Sequence, residues 1–114
     1  MGESDERIHL CDASVTLAFS VLGKRWNGMI IATLGLGSAS FATLRRSVGG
    51  ISDTVLSDRL GELAHTGLVA RTVVSGPPVT VSYALTDSGR GLVPILDQLG
   101  VWASANLGEP SSSC

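Results

Sequence analysis

The sequence predicts a mainly α-helical domain that carries a β-hairpin, and three observations lead there. Four stretches before residue 67 place apolar residues at helical spacing, and glycine closes each of them. Residues 68–85 then switch to Val, Thr and Tyr around Ser75-Gly76-Pro77-Pro78, the pattern of two strands and a turn. A last helical stretch follows, from Thr86 to about Asn106.

Each element has its own justification. Asp12 can cap a first helix with the stripe Val15, Ala18/Phe19 and Leu22, ended by Gly23. A second helix runs from Arg25 or Trp26 to Leu34. It is apolar nearly all round (Trp26, Met29, Ile30, Ile31, Leu34), so it should be central and buried. Ser38 to Ser40 form a short extended link. Ser40 caps a third helix with the stripe Phe41, Leu44 and Val48, and Gly49-Gly50 makes a turn into the fourth. There Ser52 is the N-cap, Ile51 and Leu56 form a hydrophobic staple, and Asp53 suits the positive end of the helix dipole. Leu56, Leu60 and Leu63 give this helix its buried stripe, and Gly67 stops it. The last helix carries Leu92, Ile95/Leu96, Leu99 and Trp102/Ala103 on one stripe, with Pro94 inside it predicting a kink or break. Two short helices joined by a glycine turn and followed by a hairpin are the order of a winged helix-turn-helix domain. The expected organisation is a flexible arm over 1–10, this domain with its dimerisation helices over 11–106, and a flexible tail over 107–114.

Composition narrows the function classes. With 114 residues and 44% hydrophobic residues the chain has enough apolar content for one core, and its mean hydropathy of +0.33 is too high for a disordered chain. The first ten residues are polar and lack the apolar region of a signal peptide, and no apolar run approaches the length of a membrane span. These observations predict a soluble, cytoplasmic protein with no membrane partner. The net charge is −2, but its distribution is uneven. Lys24, Arg25, Arg45, Arg46, Arg59 and Arg71 face only Asp53, Asp58 and Glu62 between residues 24 and 71, whereas both ends are acidic. A basic middle is what phosphate binding needs; scattered surface charge is the alternative. Cys11 and Cys114 have no CxxC spacing, and His9 and His65 lie at no metal-ligand spacing, so neither a metal site nor a cofactor is expected. No nucleophile–base pair or glycine-rich phosphate loop points to an enzyme.

The fourth helix raises the functional question. Thr54, Asp58, Gly61 and His65 point away from its leucine stripe, with Ser57 and Glu62 at the flanks. A helix that enters the DNA major groove presents short polar side chains to base edges from its N-terminal half, and Ser52, Thr54, Ser57 and Asp58 fit that requirement. Asp58 would repel phosphate but could accept from a cytosine amino group. Arg45, Arg46, Arg71, Lys24 and Arg25 are the candidates for backbone phosphates, Arg45 and Arg46 foremost because they border the helix-turn-helix. Arg59 sits nearer the buried stripe, where Glu62 or Asp58 can pair with it. An ordinary solvated helix face is the alternative reading of the same residues.

The chain resembles the HxlR-type winged-helix regulators, relatives of the MarR group. The resemblance rests on LGKRW (22–26), FATLRRSVGGIS (41–52), VLSDRLGELAHTGLV (55–69) and YALTDSGRGLVPILDQLGVWA (83–103), in this order and spacing. It implies a homodimer built on the first and last helices, through Leu92, Ile95, Leu96, Leu99 and Trp102. It also implies a double-stranded DNA operator read by the fourth helix, with the hairpin on the backbone or in the minor groove, and a small electrophile or metabolite as effector. Cys11 matches the position of the redox-active cysteine in sensing members, and the resemblance implies a disulfide between Cys11 and Cys114 of the partner subunit. The chain departs from the family at three places: Asp12 where the family often has proline, Ala13 where some members have lysine, and Thr54 where many have Lys or Arg. The expected function is a transcriptional regulator, a repressor by preference, with redox or electrophile sensing through Cys11. The alternatives are a winged-helix module for protein contact and a regulator answering a non-covalent ligand.

Overall fold

A computed structural model describes residues 13–108; Cys11, the Asp12 cap and Cys114 lie outside the described residues. Five helices and one hairpin follow each other as α1 (13–22), α2 (Asn27–Leu34), α3 (Phe41–Val48), α4 (Asp53–His65), β1 (Val69–Val74), β2 (Thr80–Leu85) and α5 (Asp87–Asn106). Three of the helices start by the same device. Ser40, Ser52 and Thr86 adopt extended backbone, and each hydroxyl accepts from the amide three residues on, at 3.1, 3.2 and 3.2 Å. Each satisfies one of the amides that a helix start leaves without a partner.

The core is a single cluster. Ile30, Ile31 and Leu34 of α2, Leu44 and Val48 of α3, Ile51 of the turn, and Leu56, Leu60 and Leu63 of α4 meet Val69 and Leu85 at the base of the hairpin. The staple pair Ile51 and Leu56 is buried as expected. Strands β1 and β2 pair antiparallel from Val69 with Leu85 to Val74 with Thr80. The extended link contributes one further bridge, with Ala39 and Tyr83 exchanging both backbone hydrogen bonds at 2.9 and 2.8 Å. The hairpin is thereby stitched to the start of α3.

Two expectations are corrected. Helix α2 begins at Asn27, with Trp26 outside it as N-cap in the left-handed region at φ 83°. Helix α5 is not broken at Pro94 but runs through it for 20 residues. Pro94 is exposed, so the carbonyl that loses its partner can be hydrated, while its neighbour Val93 packs inward with a methyl 3.0 Å from where a Gly35 side chain would begin.

The junction of hairpin and α5 is close. The Thr86 amide donates to the Leu68 carbonyl (3.1 Å) and its hydroxyl to the Gly67 carbonyl (2.6 Å). Gly89 lies directly over the same strand entry: a Cβ there would sit 2.2 Å from the Leu68 carbonyl oxygen.

Candidate nucleic-acid interface

The α3–α4 unit is held from inside by its apolar stripe and opened to solvent on its outer side. Gly49 and Gly50 take φ of 65° and 83°, a backbone path that side-chain-bearing residues adopt at a cost. This sharp turn lets both helices share one core. Leu56, Leu60 and Leu63 are buried, which fixes the roll of α4 about its axis. The roll leaves Thr54, Ser57, Asp58, Gly61 and His65 exposed together, as the spacing predicts, with Ser52 exposed at the N-terminal end. A groove of about 170 Å³ separates this face from the hairpin and is lined by Ser57, Gly61, Arg71 and Tyr83 among others. It brings Arg71 of β1 to the same side of the molecule as the outer face of α4.

Gly61 has no internal reason to be glycine: it is mid-helix, and nothing lies within 4 Å of a Cβ placed there. Gly61→Ala should therefore stabilise the fold by roughly 1 kcal/mol, read as a rise in the urea midpoint. If the face approaches DNA as closely as a groove-binding helix does, the same variant should lose about five-fold or more in operator affinity. A variant that gains stability and keeps full affinity would place Gly61 outside the contact.

The structure divides the five candidate phosphate ligands. Arg45 donates from Nη1 to both carboxylate oxygens of Asp53, at 3.0 and 3.2 Å, and so ties α3 to the first turn of α4. Lys24 forms an ion pair with Glu62. Arg25 lies over the Trp26 ring, its guanidinium carbon 4.3 Å from the centroid. Arg46 makes only a 3.5 Å contact with the Thr43 hydroxyl. Arg71 is exposed, and neither Arg46 nor Arg71 pairs with a carboxylate among the described residues. The pairings of Lys24 and Arg45 were not visible in the sequence, since the partners are 38 and 8 residues away. Arg59 behaves as its position near the stripe suggests, pairing with Glu62 at 3.1 Å.

Arg59 also donates from Nε to the Arg25 carbonyl at 3.1 Å. The turn between α1 and α2 is thus strapped to α4 twice, through Arg59 and through Lys24–Glu62. Two local costs are concentrated in this turn. Trp26 holds a backbone conformation that costs a bulky residue about 1–3 kcal/mol. Asn27 is buried at 2% exposure; its Nδ2 donates to the Val21 carbonyl (2.8 Å), but its Oδ1 accepts nothing. An orphaned buried acceptor costs about 1–3 kcal/mol.

The Lys24 hydrogen bond, with help from Arg59, holds the Glu62 carboxyl below the usual carboxylate range. A depressed folded-state pKa means that the straps stabilise the fold above the ordinary glutamate pKa and lose that contribution as pH falls through the depressed value. The urea midpoint of the protein should exceed that of Glu62→Gln near neutral pH, and the gap should narrow as the pH falls below the ordinary glutamate pKa. A pH-independent gap would mean that the pair contributes only as packing.

The predicted dimer residues also divide. Leu92 and Leu96 pack partly against the protomer's own core, whereas Ile95, Leu99 and Trp102 are exposed, at 57%, 47% and 54%. Exposed apolar residues continue along α1 with Val15, Leu17 and Phe19. Among the described residues no helix is long and apolar enough to cross a membrane.

With this geometry in place, a family model described as HxlR-like helix-turn-helix matches residues 21–111. The chain belongs to that family. Among HxlR-like relatives, the HTH-type transcriptional regulator YodB of Bacillus subtilis is 41% identical over 86 residues, 75% of this chain and 77% of that protein. YvaP of the same organism, an uncharacterised HTH-type transcriptional regulator, is 40% identical over 87 residues, 76% and 81% of the two chains. The structure of reduced YodB superposes with a TM-score of 0.75 at 38% identity, covering 82% of this chain and 91% of YodB. YodB has also been solved after diamide treatment and with quinone bound. The redox regulator HypR in its oxidised form superposes with a TM-score of 0.76 at 33% identity, covering 82% of this chain and 96% of HypR. The HxlR-like winged helix accounts for the whole element order, and the function that goes with it is transcriptional regulation.

Proposed function

We propose that the protein is a homodimeric, sequence-specific DNA-binding repressor whose operator affinity is set by oxidants or electrophiles acting at Cys11. The observation that carries the DNA reading is the outer face of α4, where the buried leucines leave Ser52, Thr54, Ser57 and Asp58 exposed on the N-terminal half of the helix. Short polar side chains on the N-terminal half of such a helix suit base edges. Arg45, held to Asp53 at the start of α4, and Arg71, across the groove from Ser57, lie beside these residues and with Arg46 supply backbone contacts. The exposed apolar faces of α1 and α5 support dimerisation, because leaving Phe19, Ile95, Leu99 and Trp102 in water forfeits the burial that a partner would provide. A dimer presents two recognition helices to two half-sites one helical turn apart.

The sensing reading rests on kinship with YodB and HypR and on Cys11 itself. Two thiols, Cys11 and Cys114 of the partner subunit, lose two electrons and two protons to the oxidant and form one disulfide. The test is anisotropy of reduced protein on the DNA upstream of its own and adjacent genes, at two salt concentrations with random competitor. Tight, competitor-resistant binding to one near-palindromic segment is expected. Diamide should weaken it reversibly, and Cys11→Ser should abolish that response. Binding no better than competitor would overturn the DNA reading and favour a protein-contact role, to which the ion pairing of Lys24 and Arg45 already leans. A full oxidant response in Cys11→Ser would overturn the sensing.

A further inference from the structure

We infer that the tip of the hairpin is an uncharged apolar wedge for the DNA minor groove: Pro77 and Pro78 part a base step beside each half-site, and Val74 and Val79 pack on the deoxyribose walls. The inference deepens the DNA-binding reading and rests on it. The hairpin is anchored at one end only. Val69 and Leu85 belong to the core, whereas residues 70–80 are all exposed. Val74 is five residues beyond Val69 in β1, so the tip stands about 17 Å out from the core. Its direction is set by Arg71 and Tyr83, which are opposite each other in the register and line the groove against Ser57 and Gly61 of α4. The tip continues the same strands past that groove, and so extends the side of the molecule that carries the outer face of α4.

The composition of the tip selects its seat. Residues 72–82, TVVSGPPVTVS, carry no charge of either sign. A hairpin beside a groove-binding helix can rest on the phosphate backbone or enter the minor groove next to it. The backbone rewards cations and amide donors. Beyond Arg71 the hairpin has no cation, and Pro77 and Pro78 have no N–H. The minor groove offers apolar sugar walls, acceptors on its floor for the Ser75 hydroxyl, and base steps that proline can part. Exposure supports the same choice. Val73, Val74 and Val79 are 50%, 54% and 64% exposed. Val73 and Val74 are consecutive in β1, so they stand on opposite faces, and both faces of the hairpin are apolar and uncovered. A flat partner surface would cover one face; a groove covers both.

The wedge has a consequence for specificity. Parting a base step costs least at the flexible pyrimidine–purine steps TA and CA/TG. The hairpin therefore adds a sequence preference at a position that the polar face of α4 does not read. It does so with neutral side chains, so its share of the affinity does not depend on salt, unlike that of Arg46 and Arg71.

The test uses the full chain and its operator segment, with 2-aminopurine replacing single adenines in turn across the flanks of each half-site. Unstacking brightens this probe, so fluorescence should rise at one step beside each half-site and stay flat elsewhere. The double variant Pro77→Ser, Pro78→Ser should lose the rise and about five-fold or more in affinity, with an unchanged slope of log K against log salt. Because a change in the turn can disturb the hairpin itself, Val74→Thr with Val79→Thr, which keeps shape and strand preference, should show the same loss. Exchanging the pyrimidine–purine step at the brightened position for GG/CC should weaken the wild type by about five-fold and the proline variant hardly at all. Operator binding with no brightened step, full affinity in both double variants, or a salt slope that falls with them would overturn the wedge and leave the regulator reading standing. Absence of operator binding would overturn both.

Discussion

Gly89→Ala is expected to destabilise the protein by about 3 kcal/mol. The reason is geometric. The new Cβ would lie 2.2 Å from the Leu68 carbonyl oxygen and 3.1 Å from a Leu85 methyl. The first neighbour is backbone, so no rotamer change relieves it. Either α5 moves off the hairpin base or the strand entry moves, and both disturb hydrogen bonds that Thr86 makes to Gly67 and Leu68. Gly91, two residues on in the same helix, is the matched control, since nothing lies within 4 Å of its added Cβ. Gly91→Ala should be neutral or stabilising by up to about 1 kcal/mol. Urea midpoints of the two variants decide the matter. Equal, small shifts would mean that the α5–hairpin junction is looser than the structure shows.

Gly89 also illustrates what was legible in the sequence. The element order, the three hydroxyl caps, the staple and the outward face of α4 all follow from local spacing, because each is decided within a few residues of chain. The Leu-Thr-x-x-Gly string was legible as a pattern belonging to a family, yet its physical cause is a contact with Leu68, 21 positions earlier in the chain. The same holds for the cations. Arg45 and Lys24 read as free charge in sequence, and their engagement by Asp53 and Glu62 depends on how α3 and the α1–α2 turn pack against α4. The Ala39–Tyr83 bridge was missed because a single paired residue leaves no alternation to detect. Asn27 was missed because one amide in an apolar helix gives no signal that it will face inward. Of the kink or break expected at Pro94, the break does not occur: on a solvent-facing turn the cost of a proline is small enough for packing of its neighbours to carry the helix through it.

The pairing of the cations leads to the second large effect, on DNA rather than on the fold. Replacing both Arg46 and Arg71 with alanine should flatten the salt dependence of operator binding far more than replacing Lys24. In a dimer each substitution counts twice, so the double variant removes four phosphate contacts and reduces the slope of log K against log salt by about 3.6. Between 50 and 200 mM salt the wild type should therefore lose roughly 150-fold more affinity than the variant. Lys24→Ala should leave the slope nearly unchanged, since its charge is already spent on Glu62 and exchanging a carboxylate for a phosphate releases little. Arg45→Ala should fall between, because one guanidinium edge stays available while the other holds Asp53. Slopes measured by anisotropy on one operator at four salt concentrations give the ranking. Equal slopes for Lys24→Ala and the double variant would mean that the ion pairs open on DNA and that the basic middle acts as a uniform field. The ranking stated here would mean that packing within the protomer chooses which charges DNA meets.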